Sequence, residues 1–150
     1  MIYATGPCMC HGTLQQPYTG EHIAEMVRRV FAGRVVFYDG AGEVAPGVEV
    51  HLIGGHSRGL QCVRVKTRRG YVVLASDASH YYENFLQAKP FPIVVDLENM
   101  LSGFNRLREL ADSKDHIIPG HDPLVRKYYP SHGVDKSVFR LDVEPINSVI

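Results

Sequence analysis

A chain of 150 residues, 45% hydrophobic and 21% charged, has enough apolar mass for one globular core and too little charge for a disordered segment. Sixteen basic residues balance sixteen acidic ones, so net charge gives no reason to expect a nucleic-acid or anionic-membrane partner. No run approaches the roughly 20 apolar residues of a membrane span, and the N-terminus lacks the basic and apolar regions of a signal peptide. Three cysteines, an odd count, suit reduced thiols and a cytoplasmic location better than a disulfide framework.

Met1 to Tyr18 shows little periodicity, contains Gly6, Pro7, Gly12 and Pro17, and reads as loop. Within it, Cys8-Met9-Cys10-His11 offers zinc donors, but at a spacing that matches neither knuckle nor finger, so reduced thiols are expected there. From Glu21, Ile23, Met26, Val27, Val30 and Phe31 recur at helical spacing and predict an amphipathic helix ended by Gly33. Arg28 and Arg29 near its end complement the helix dipole. Arg34 to Tyr38 predicts a short strand closed at Asp39-Gly40, and Val48 to Ile53 another, entered through Pro46-Gly47.

Leu60 to Thr67 and Tyr71 to Ala75 flank Arg68-Arg69-Gly70 and predict a hairpin. His51, inside a strand, reads as a packed or surface residue. A helical turn through Tyr81, Tyr82 and Phe85 follows, then a loop with Pro90 and Pro92. These rings and Phe91 either line an apolar pocket or cap the core. Leu97, Met100, Leu101, Phe104, Leu107 and Ala111 predict a second amphipathic helix, with Asp96 as N-cap and Gly103 inside it. His116 to Pro119 is a strand, and Val138 to Leu141 a last apolar segment.

Three of these strands end in metal-ligating residue types. Val48 to Ile53 runs into Gly54-Gly55-His56-Ser57-Arg58-Gly59, Tyr71 to Ala75 into Ser76-Asp77-Ala78-Ser79-His80, and Ile117-Ile118-Pro119 into Gly120-His121-Asp122. A divalent cation needs imidazole nitrogen and carboxylate oxygen at about 2.0–2.2 Å from a scaffold that cannot relax away, and strand ends supply that rigidity. Glycines beside His56 let the backbone take positive φ or pass close to a neighbour. Any one of these histidines could merely satisfy a hydrogen bond in a loop; the three together point to a metal.

These motifs, in this order and at these intervals, resemble the later motifs of the metallo-β-lactamase superfamily, in its N-acyl-homoserine lactone lactonase branch. The resemblance covers roughly residues 34 to 125. It implies an α/β fold, the C-terminal half of an αββα sandwich, in which His56 binds a first metal, Asp77 bridges two and His121 binds the second. It further implies two zinc ions, a small-molecule lactone or ester as substrate, and ring opening by a metal-bound hydroxide.

The superfamily's upstream His-x-His-x-Asp-His signature is absent from these residues, since no two of the eight histidines stand two apart. Residues 1–150 therefore read as a single partial domain without the N-terminal half that would bring four further ligands. His80 stands where the lactonases resembled here carry tyrosine, and an imidazole there can donate a hydrogen bond to the substrate carbonyl or the departing oxygen, as a catalytic group beside Asp77. Two other readings stand beside the lactonase: a thioester hydrolase of the glyoxalase II type, and a non-catalytic fragment that needs a partner half and self-associates through an uncovered sheet face.

Overall fold

The computed structural model describes residues 3–16, 18–134 and 136–147, in two compact units, Met1–Tyr38 and Asp39–Ile150. In the first, single 3₁₀ turns at Tyr3–Thr5 and Pro7–Cys10 precede α1 (Gly12–Gln15), where the sequence reads as loop. Elements this short cannot display a helical period. Met1, Ile2 and Pro17 of that stretch lie outside the described residues. Cys8 and Cys10 are free thiols.

The predicted first helix is α2 (Gly20–Phe31), closed by Gly33 at φ +67° with its N–H donated to the Val30 carbonyl. Arg34 to Tyr38 does not form the expected strand. Val36 and Phe37 are 74% and 64% exposed, and no ladder partner exists among the described residues. β-branched and aromatic residues favour a strand only where a neighbouring strand packs beside them.

The second unit holds β1 (Ala41–Ala45), β2 (Val48–Leu52), β3 (Gln61–Thr67), β4 (Gly70–Ser76), α3 (Tyr82–Gln87), α4 (Leu97–Leu110), β5 (Ile117–Pro119), α5 (Val125–Tyr128), β6 (Ser131–His132) and β7 (Val138–Phe139). Strands β1 to β5 form one sheet in sequence order, an antiparallel meander to which β5 adds parallel to β4. The parallel step requires a crossover, and α3 and α4 provide it. β6 and β7 make a separate two-stranded ribbon.

Register assigns the two faces of the sheet. His51 pairs with Cys62, Glu49 with Arg64, Arg64 with Val73 and Val73 with Ile117, which places these side chains on the face that receives α4. The helix starts where Asp96 caps it, its carboxylate accepting from the Asn99 N–H at 2.9 Å. It buries Met100, Phe104, Leu107 and Leu110. Gly103 is what lets it sit so low: a Cβ there would lie 2.7 Å from Cγ2 of Ile53. Arg64 ties sheet to helix, its Nε donating to the Leu110 carbonyl at 2.8 Å while Nη1 holds Glu49. No helix of the described residues is long and apolar enough to cross a membrane.

Candidate metal centre

The site lies at the C-terminal ends of β2, β4 and β5, where side chains leave a sheet without being consumed by its ladder. After β2, Gly54 and Gly55 take φ of +76° and +81°, as the sequence implies for the residues leading into His56. A Cβ on Gly55 would fall 2.7 Å from the Met100 Cα, and the Gly55 carbonyl accepts from the N–H groups of Val95 and Asp96 at 3.0 Å each. The His56 loop is thus clamped against the start of α4. His56 donates its Nδ1–H to the Ile93 carbonyl at 2.9 Å, which leaves the Nε2 lone pair for a ligand.

The loops after β4 and β5 are joined by backbone. The Gly120 N–H donates to the Ser79 carbonyl at 2.9 Å and the His121 N–H to the His80 carbonyl at 3.0 Å. Gly120 is again an approach residue, since a Cβ would meet the Ser76 carbonyl oxygen at 2.6 Å. Ser76 takes φ +50°, a left-handed turn that ends β4 and starts the Asp77 loop.

Those joined loops bring Asp77, His80 and His121 together. Oδ1 of Asp77 lies 2.5 Å from Nε2 of His121 and 3.4 Å from Nε2 of His80. The ligand atoms of the three residues all fall within 4.8 Å of one another, the group among the described residues with metal-holding geometry. The His56 ring is 5.8 Å from His80, centroid to centroid, so it faces the same space from outside that group. One oxygen and two imidazole nitrogens suit a zinc-like cation, and the donor chemistry therefore fits a metal.

Two side chains fix this arrangement in ways the sequence does not reveal. Phe91 is buried and stacks on His80, with centroids 3.7 Å apart and planes at 14°. Burial, followed by the neighbouring His121, pushes the His80 imidazole below its ordinary pKa against the opposing pull of Asp77, so it favours the neutral form that binds metals. Asp122, within the Gly-His-Asp motif, is structural: its buried carboxylate accepts from the N–H groups of Tyr82 and Leu124 at 2.9 Å each. His51 is a packed residue, 8% exposed, with Nε2 2.9 Å from Glu49.

A meander extended by one parallel strand, a helical crossover and imidazoles with a carboxylate at the strand ends make a mixed α/β fold that matches metallo-β-lactamase-type lactonase structures over part of the chain. Over part of its length the chain is similar to N-acyl homoserine lactonases of that superfamily. It is 35% identical over 107 residues to an N-acyl homoserine lactonase from Bacillus cereus, a match covering 70% of this chain and 42% of that protein. It superimposes on an N-acyl homoserine lactone hydrolase, crystallised with N-hexanoyl-L-homoserine at its catalytic metal centre, with a TM-score of 0.54 and 38% identity; the match covers 60% of this chain and 36% of the hydrolase. A dizinc quorum-quenching lactonase, at 14% identity and TM-score 0.50 over 74% of this chain and 41% of its own, shares the fold. The chain thus spans less than half the length of these relatives. No protein-family model matches it.

Proposed function

We propose that this chain forms the C-terminal part of a zinc-dependent hydrolase that opens the ring of N-acyl homoserine lactones, a quorum-quenching activity. The observation that carries the reading is the convergence of Asp77, His80 and His121, with His56 facing them, on a sheet similar to that of the lactonases. In the proposed complete site His56 and Asp77 would hold a first metal and Asp77 and His121 a second, with the further ligands supplied from outside these 150 residues. Bound zinc supplies a nucleophilic water near neutral pH and polarises the substrate carbonyl.

The chain's own groups divide the other tasks. Asp77 fixes the geometry between the two imidazole sites, and its carboxylate orients the His121 ring. His80, held flat by Phe91, is placed to give a hydrogen bond to the departing oxygen. Phe91 excludes water from one side of that ring. Three free thiols are in keeping with a cytoplasmic location.

The test is a chimaera in which the N-terminal half of a Bacillus lactonase, with its own metal ligands, precedes this chain. With zinc it is expected to hydrolyse N-hexanoyl homoserine lactone and not S-lactoylglutathione, and Asp77→Asn is expected to reduce turnover by at least about 100-fold. The opposite preference would assign it to thioester hydrolysis, and a folded, metal-loaded chimaera inert on both would leave the fragment reading.

A further inference from the structure

We infer that the 150-residue chain binds a single first-row divalent cation by itself, through Asp77, His80 and His121, with no donor from any other polypeptide. The inference uses the same pocket as the proposed hydrolase and none of its lactone chemistry. Its key residue is His80, which becomes the third ligand wherever the upstream donors are missing.

The geometry is close to what a cation requires. Four-coordinate ligands at about 2.0–2.2 Å from an ion stand about 3.4 Å from one another. The His80 Nε2 to Asp77 Oδ1 distance is already 3.4 Å. His121 Nε2 sits at 2.5 Å from the same oxygen, so it must retreat by about 0.9 Å to admit an ion. Its side chain is 57% exposed and has room to do so. Two imidazoles and one carboxylate satisfy the three-ligand minimum of an open zinc-type site and leave the fourth position to water.

The cost of assembling these donors is met in folding rather than in binding. Both histidines are fixed at the backbone by the Gly120-to-Ser79 and His121-to-His80 hydrogen bonds, and the His80 ring is fixed again by its stack on Phe91. Preorganisation of this kind is what separates a ligand cluster from a chance meeting of polar side chains. His56 stays outside the set by distance: its ring lies 5.8 Å from His80, and the donors whose ligand atoms fall within 4.8 Å of one another are Asp77, His80 and His121.

Titration of the purified chain with Co²⁺, followed by visible absorption and by calorimetry, tests this without any substrate. One Co²⁺ per chain is expected, with the intense d–d bands of a four- or five-coordinate ion. His80→Phe, which keeps an aromatic ring against Phe91, His121→Ala and Asp77→Asn should each weaken binding by more than about tenfold. His132→Ala, which removes an exposed imidazole on β6 outside the site, should bind within about twofold of the parent chain. The inference is overturned if His80→Phe binds Co²⁺ as tightly as the parent, if His132→Ala loses as much affinity as His121→Ala, or if a chain with folded far-ultraviolet circular dichroism takes up no Co²⁺. The readout is the ion alone, so a failure here is separate from a failure of the lactone assay.

Discussion

At the scale of single residues, the site depends on glycines that are near other backbone. Gly120 has no positive φ to justify it; its reason is the Ser76 carbonyl, 2.6 Å from where a Cβ would stand. Backbone cannot swing aside as a side-chain tip can, so Gly120→Ala must separate the Asp77 and His121 loops. The expected result is a loss of about 1–3 kcal/mol of stability with weaker Co²⁺ uptake, read by chemical denaturation and metal titration on one sample. Parental values in both would remove the loop-clamp account. Cys62, fully buried on the α4 face with its thiol pushed up to about 11 by burial, is by the same logic a packing residue and no nucleophile.

At the scale of elements, the parallel addition of β5 to β4 does what no single motif can. It sets the ends of two strands side by side, so that Asp77 and His121, 44 residues apart in sequence, share a hydrogen bond. The sheet is tied to α4 by the Glu49–Arg64 pair at 3.1 Å, with Arg64 passing on to the Leu110 carbonyl and lying over Tyr71. Hydrogen bonds from His51, and then from Arg64, hold the Glu49 carboxyl below its ordinary value of 4.5. Folding therefore favours the ionised form. The stabilisation is complete above about pH 4.5 and is lost as the pH falls through the depressed folded value. Glu49→Gln should flatten that acid limb of the stability curve while leaving the neutral-pH shape alone; an unchanged acid limb would show that other carboxylates govern it.

At the scale of the whole molecule, the second face of the sheet matters most. Register puts Val48, Val50, Val63 and Val65 on it, all half-buried, with Leu52 beside them 43% exposed, whereas Val72 and Ile118 on the same face are covered, at 1% and 6% exposed. A contiguous apolar surface of this kind favours association, and a formal net charge of zero does nothing to oppose it. Sedimentation at rising concentration is expected to give a mass above that of one chain. Charged substitutions at Val50 and Val63 should lower it, and a monodisperse monomer throughout would contradict this expectation.

Much of this was written in the order of residues. The two long helices follow from apolar positions at helical spacing, and α4 also from its Asp96 cap. β2 to β5 follow from apolar runs bounded by Gly and Pro, and the ligand-bearing loops from the glycines around them. These signals are local, so a local reading finds them. β1 escaped because Ala41–Ala45 carries no strand pattern of its own and exists by pairing with β2, while Arg34 to Tyr38 has the pattern and finds no partner. Tertiary structure alone decided that Phe91 stacks on His80, that Asp122 is spent on backbone N–H groups, and that His80 joins Asp77 and His121 more closely than His56 does. Those are distances between segments far apart in the chain, and no short stretch of residues contains a distance.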